Sequence, residues 1–136
     1  VFSRPTTEQL LAGIAEQLRT VVASEVQTEP TRILLQQIDQ VLMSCSRRAA
    51  HEIAWIYEEA DRIAAETGRA VGHPDSLHLD DMVEWYNAAS AVLSDELEAA
   101  FRAQDESRIA KLKAVLDARS AVEMQILGAL DLVGRG

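Results

Sequence analysis

Apolar residues along this chain recur at steps of three and four, in four separate stretches. The first stripe is Leu10, Ile14, Leu18, Val21 and Val22, with Leu11 beside it. The second runs Leu34, Ile38, Val41, Cys45, Ala49, Ile53, Ile56, Ala60 and Ile63. The third is Leu79, Met82, Val83, Tyr86, Ala89, Leu93, Leu97, Ala100 and Phe101. The fourth is Ile109, Leu112 and Leu116, followed by a segment that is apolar on most sides, from Ala121 to Leu130. Spacing of this kind follows the period of a straight α-helix and brings each set onto one face. It predicts four helices, and a helix that is apolar on most sides predicts burial in a bundle or at an oligomer interface.

The helix breakers agree with these limits. Glycine and proline fall at Pro5, Gly13, Pro30, Gly68, Gly72, Pro74, Gly128, Gly134 and Gly136, so two long segments contain none. Thr6 and Gln9 have the spacing of a capping box, Thr28 is placed to cap the second helix, and Asp105 the fourth. The third helix is expected to begin at Asp75 or Asp80, and Gly68 is a natural C-terminal stop for the second. That second helix would be roughly 55 Å long at about 1.5 Å per residue. It must either bend near Ser44-Cys45-Ser46 or project onto a partner. Short connections join helices one to two and three to four, which favours antiparallel neighbours. The expected fold is therefore all-α, an up-down four-helix bundle with a long second helix, forming one domain over residues 1–136.

Composition narrows the function. A chain of 136 residues with 48% hydrophobic residues is large enough to bury a core without staples. Its formal charge of −9 opposes nucleic-acid binding, which relies on lysine and arginine to neutralise phosphates. No apolar run approaches the roughly 20 residues of a membrane span, and Val1-Phe2-Ser3-Arg4-Pro5 lacks the layout of a signal peptide, so a cytoplasmic location is expected. Cys45 is the single cysteine; at its stripe position it reads as a small buried apolar residue.

Three constellations could carry chemistry. A carboxylate-bridged dimetal site needs inward Glu-x-x-His pairs, and none occurs. The segment from Gly68 to Leu79 gathers His73, Asp75, His78 and Asp80, but at spacings that match no metal motif; an acidic first helical turn accounts for the aspartates. On the second helix His51 and Trp55 lie off the main stripe, and with Trp85 or Tyr86 opposite they would line a groove between helices two and three for an apolar or acyl ligand. Asp39 and Arg119 each interrupt an apolar stripe. A half-buried carboxylate wants a cationic partner, and Arg32 or Arg119 could supply it. No nucleophilic triad, phosphate cradle or dinucleotide fingerprint is present, so no catalytic residue, no metal and no cofactor is assigned.

The opening Arg4-Pro5-Thr6-Thr7-Glu8-Gln9-Leu10-Leu11, the segment Leu97-Glu98-Ala99-Ala100-Phe101-Arg102-Ala103-Gln104-Asp105 and the helix from Leu112 to Val122 resemble a family of small bacterial all-helical domains of unknown function. Their genes often neighbour aminoglycoside-phosphotransferase-like kinases and acyl-CoA dehydrogenases. The middle departs from the family: Leu34, Leu35, Gln36 and Asp39 stand where it tends to carry a helix bearing His, Arg and Asn. The resemblance implies an accessory role beside such enzymes. The expectation is a non-catalytic helical protein that forms homo-oligomers or docks on a protein partner. The alternative is a small-molecule binding protein using His51, Trp55, Trp85, Asp39 and Arg119.

Overall fold

The computed structural model describes residues 4–128, which are helical wherever they adopt regular structure. Helix α1 (Thr7–Gln17) opens on the expected capping box: the Gln9 N–H donates to Thr6 Oγ1 at 3.3 Å and the Thr6 N–H to Gln9 Oε1 at 3.0 Å. The helix then widens into a π-helical turn, Leu18–Val22, before a last α turn, α2 (Ala23–Glu25). Two features favour the wide turn. Thr20, Val21 and Val22 are consecutive β-branched residues, and the Thr20 hydroxyl donates back to the Glu16 carbonyl at 2.8 Å.

Helix α3 (Glu29–Thr67) is one element of 39 residues, with no interruption at Ser44-Cys45-Ser46. At its start the Thr28 hydroxyl shares a hydrogen bond with the Thr31 hydroxyl at 2.7 Å. At its end Gly68 takes a φ of 72°, the left-handed conformation that a Cβ would strain. Helix α4 (Leu79–Arg102) starts after His78, with Asp80 and Asp81 in its first turn. Helix α5 (Glu106–Leu127) starts after Asp105, whose Oδ1 accepts from the Arg108 N–H at 2.9 Å.

The chain packs as two compact units. One is Val1–Glu52 together with Glu123–Gly136, and the other is Ile53–Val122. The second unit has a core of its own. Ile63, Met82, Leu93, Leu112 and Val115 are fully buried there, with Ile56, Tyr57, Leu97 and Ile109 packed around them. Trp85 ties the connection after α3 to that core. Its ring lies 4.9 Å from the Tyr57 ring, its Nε1–H donates to the Gly72 carbonyl at 3.1 Å, and Val71 packs alongside. Arg108 closes the end of α3 by donating to the Glu66 carbonyl at 2.6 Å, and it pairs with Glu96, which Arg69 also reaches at 3.3 Å.

The first unit is built differently. Among its described residues only Ala15 and Ser46 are buried. Helix α1 and residues 29–52 of α3 run antiparallel. Ser46 Oγ donates to the Glu8 carbonyl at 3.0 Å, Asp39 faces Arg19, and Arg32 donates to the Val26 carbonyl at 3.4 Å. The less exposed positions are Leu11, Ala15 and Leu18 on α1 and the π turn, and Leu35, Asp39, Leu42 and Ser46 on α3. The predicted core stripes are therefore displaced in this unit. Leu10, Ile14, Val21, Leu34, Ile38 and Val41 are exposed, and so is Cys45. The reason is geometric. A helix with one neighbour buries one narrow face, and here the buried positions lie one residue beyond the predicted ones, a rotation of about 100°. At the end of α5, Met124 and Leu127 are exposed while Ile126 is half-buried; Leu130 lies outside the described residues.

Candidate interaction surface

Six of the exposed apolar residues of the first unit share one side of its helix pair. Leu10 and Ile14 each precede a half-buried or buried position on α1, Val21 follows Ile14 by seven residues, and Leu34, Ile38 and Val41 each precede a half-buried position on α3. In an antiparallel pair, equal shifts of about 100° turn both helices toward the same side. The six side chains therefore share one side of the helix pair, and Cys45 and Ala49 extend the α3 row. The charged residues of these segments are engaged elsewhere. Arg19 pairs with Glu16 at 3.0 Å and with Asp39, Arg47 donates to the Ile126 carbonyl at 2.8 Å, and Arg48 pairs with Glu52. Beside the apolar rows stand the uncharged Gln17, Thr20 and Ser44, and the ion pair of Arg48 with Glu52 lies at the C-terminal end of the α3 row.

The opposite side of the same helix pair is polar and concave. A cleft of about 630 Å³ is lined by Leu18, Arg19, Arg32, Ile33, Gln36 and Asp39, among others. Asp39 Oδ1 lies 3.3 Å from Arg19 Nη1, yet it is buried and accepts no hydrogen bond from the described residues. The cation opposite Asp39 is thus Arg19, not Arg32 or Arg119. Arg19 comes from the π turn, Leu18–Val22.

Arg119 belongs to the second unit, where it enters a compact polar cluster. Its Nε–H donates to Glu59 Oε1 at 2.5 Å and its Nη2–H to Ser90 Oγ at 3.2 Å, and its guanidinium lies 5.6 Å from the centre of the Tyr86 ring. Tyr86 OH also donates to Glu59, at 3.2 Å. Burial, with the Glu59 carboxylate beside it, pushes the Tyr86 hydroxyl above the ordinary tyrosine range. Glu59 is the residue that sequence reasoning missed. It sits three residues after Ile56 and four before Ile63, so its helical position already marked it as a carboxylate on a core face.

His51 is exposed in the first unit; Trp55 is half-buried and Trp85 buried in the second. His73, Asp75, His78 and Asp80 are exposed, and among the described residues no group of three or more His, Cys, Asp or Glu side chains is placed to hold a metal ion. Nor is any described helix long and apolar enough to cross a membrane. No protein-family model, curated protein or solved structure matches the chain.

Proposed function

We propose that this chain is a non-catalytic helical protein that works by association, presenting the apolar side of its first unit to a protein partner. One observation carries the reading. Six aliphatic side chains on adjacent helices are exposed on one side of a unit whose described residues bury only Ala15 and Ser46. A helical layer of this kind is stable when its apolar stripe is covered by another layer, and contiguous exposed apolar patches mark interaction sites. An up-down helical arrangement suits this role, because the second unit holds its own core and leaves the first free to bind. The test compares the wild-type protein with an Ile14→Lys, Ile38→Lys variant, using hydrophobic-dye fluorescence and sedimentation. The wild type is expected either to bind the dye or to associate, and the variant to do neither. A wild-type monomer that ignores the dye would remove the proposal.

A second reading rests on the cleft on the polar side. Its volume falls in the range of small-molecule sites, and Arg19 and Arg32 beside Leu18 and Ile33 suit an apolar ligand with an anionic head, such as an acyl carboxylate. Calorimetric titration with acyl carboxylates and acyl-CoAs tests it; no heat above dilution across the panel would end it.

A further inference from the structure

Resting on the association reading above, we infer that the occupant of the apolar side is a second copy of this chain, the two helix pairs closing face to face into an intermolecular four-helix layer.

Three observations point to a like partner. The first is geometry. Residues 7–25 and 29–52 are two antiparallel helical segments with exposed apolar rows side by side, held in one unit with the end of α5 through Arg47 and the Ile126 carbonyl, and two such faces cover each other. A two-fold contact requires a self-complementary patch, and an apolar one meets that condition without any special pairing.

The second is charge. The chain carries a net charge of −9, so most ways of bringing two copies together oppose like charges. This side avoids that penalty. Along these rows, between Thr7 and Val21 and between Thr31 and Ala49, the charged neighbour is Arg48, three residues after Cys45, whose charge is balanced by its pair with Glu52, while the flanking Gln17, Thr20 and Ser44 are neutral. A partner of different composition gains no charged rim here with which to be selected.

The third is area. Leu10, Ile14, Val21, Leu34, Ile38 and Val41 are between 38% and 62% exposed. At about 100 Å² of apolar surface for a fully exposed aliphatic side chain, they offer roughly 300 Å² per copy. In an interface that is about 60% apolar this corresponds to roughly 500 Å² per copy and 1,000 Å² for the pair, the size at which specific association begins.

Sedimentation equilibrium on the full chain, from about 1 to 100 μM, tests the inference. The expected result is a reversible dimer of the 15.0 kDa chain. Ile14→Ala with Ile38→Ala is expected to raise its dissociation constant at least about tenfold, and Ile14→Lys with Ile38→Lys to abolish it. Gln36→Lys with Gln40→Lys, on the cleft side, is expected to leave the constant within about twofold. Trp55 and Trp85 lie in the second unit, so unchanged fluorescence shows that this unit is intact, and wild-type helical circular dichroism shows that the first unit of each variant keeps its helices. A wild-type monomer at 100 μM that binds the hydrophobic dye would overturn the second copy while leaving the association reading intact. A monomer that ignores the dye would overturn both. A dimer that persists in the lysine variant, or one that the cleft-side variant dissociates equally, would also overturn the inference.

Discussion

Replacing Arg119 by alanine removes the cation from a carboxylate that has little access to water. The Glu59 side chain is 9% exposed and that of Arg119 26%. Breaking a fully buried pair costs about 3–5 kcal/mol, chiefly because one charge is left without compensation. Arg119 retains partial contact with solvent, so water entering the vacated space would resolvate Glu59 in part, and the expected loss is about 2–3 kcal/mol. Unfolding of the second unit is the process to follow, and Trp55 and Trp85 report it without interference from the first unit. In a thermal melt read by their fluorescence, that loss lowers the midpoint by roughly 10–20 °C for a unit of this size. Glu59→Gln is expected to cost less, since an amide oxygen still accepts from Tyr86 and Arg119. Removing both charges, with Glu59→Leu and Arg119→Leu together, is expected to recover most of the loss. What stays lost is about 1 kcal/mol from the Tyr86 hydroxyl, which then has no acceptor in Glu59. A decrease below about 0.5 kcal/mol for Arg119→Ala would refute the reasoning, because it would mean that Glu59 is as well solvated without the arginine as with it.

Trp85→Phe removes the donor to the Gly72 carbonyl and part of the contact with Tyr57. It is expected to cost about 1–3 kcal/mol and to make residues 68–78 more susceptible to limited proteolysis, read by mass spectrometry of the fragments. Gly128→Ala places a Cβ 2.8 Å from the Arg47 guanidinium at a φ of 72°; about 1–2 kcal/mol of destabilisation is expected in a urea titration followed by circular dichroism. Hydrogen bonds from Arg108, then from Arg69, hold the Glu96 carboxyl below its ordinary value. Its stabilisation is therefore present above the unfolded-state pKa and is lost as pH falls through the lowered folded value. Glu96→Gln should flatten the acid limb of the stability profile and leave the profile near neutrality parallel to wild type. The raised Tyr86 pKa acts in the opposite direction. Its contribution is complete below the unfolded tyrosine value and declines as pH rises toward the folded one, so the alkaline absorbance titration of wild type minus Tyr86→Phe should show one late-ionising phenol.

Local chemistry in this chain is plain from the residues alone. Thr6 with Gln9, Gly68 and Asp105 each act where their spacing predicts, because a cap or a stop depends on only a few neighbouring residues. The helical period likewise announces each long helix. It does not say which of two adjacent apolar rows will be covered. Leu10 and Ile14 compete with Leu11 and Ala15, and Leu34 and Ile38 with Leu35 and Leu42; the rows differ by one residue, and the choice belongs to the neighbouring helix. The partner of Asp39 was hidden for a related reason. Arg19 is 20 residues away, on the other segment of the antiparallel pair, and spacing along one helix does not reveal it. The signal for the π turn was present in Thr20-Val21-Val22, but β-branching alone does not distinguish a wide turn from a slightly weaker α-helix.

The continuity of α3 joins these strands of argument. Its residues 29–52 make few buried contacts, and a free helix of that length in water is marginal. What maintains it is propagation from residues 53–67, which the core of the second unit holds in place, since extending a helix costs far less than starting one. Helix α1 has no such support. It has its capping box, one row of contacts to α3 and the pair between Arg19 and Asp39, which is worth little where Arg19 is half exposed. The first unit thus rests on the continuity of α3 and on few buried residues of its own, with Leu10, Ile14, Val21, Leu34, Ile38 and Val41 exposed.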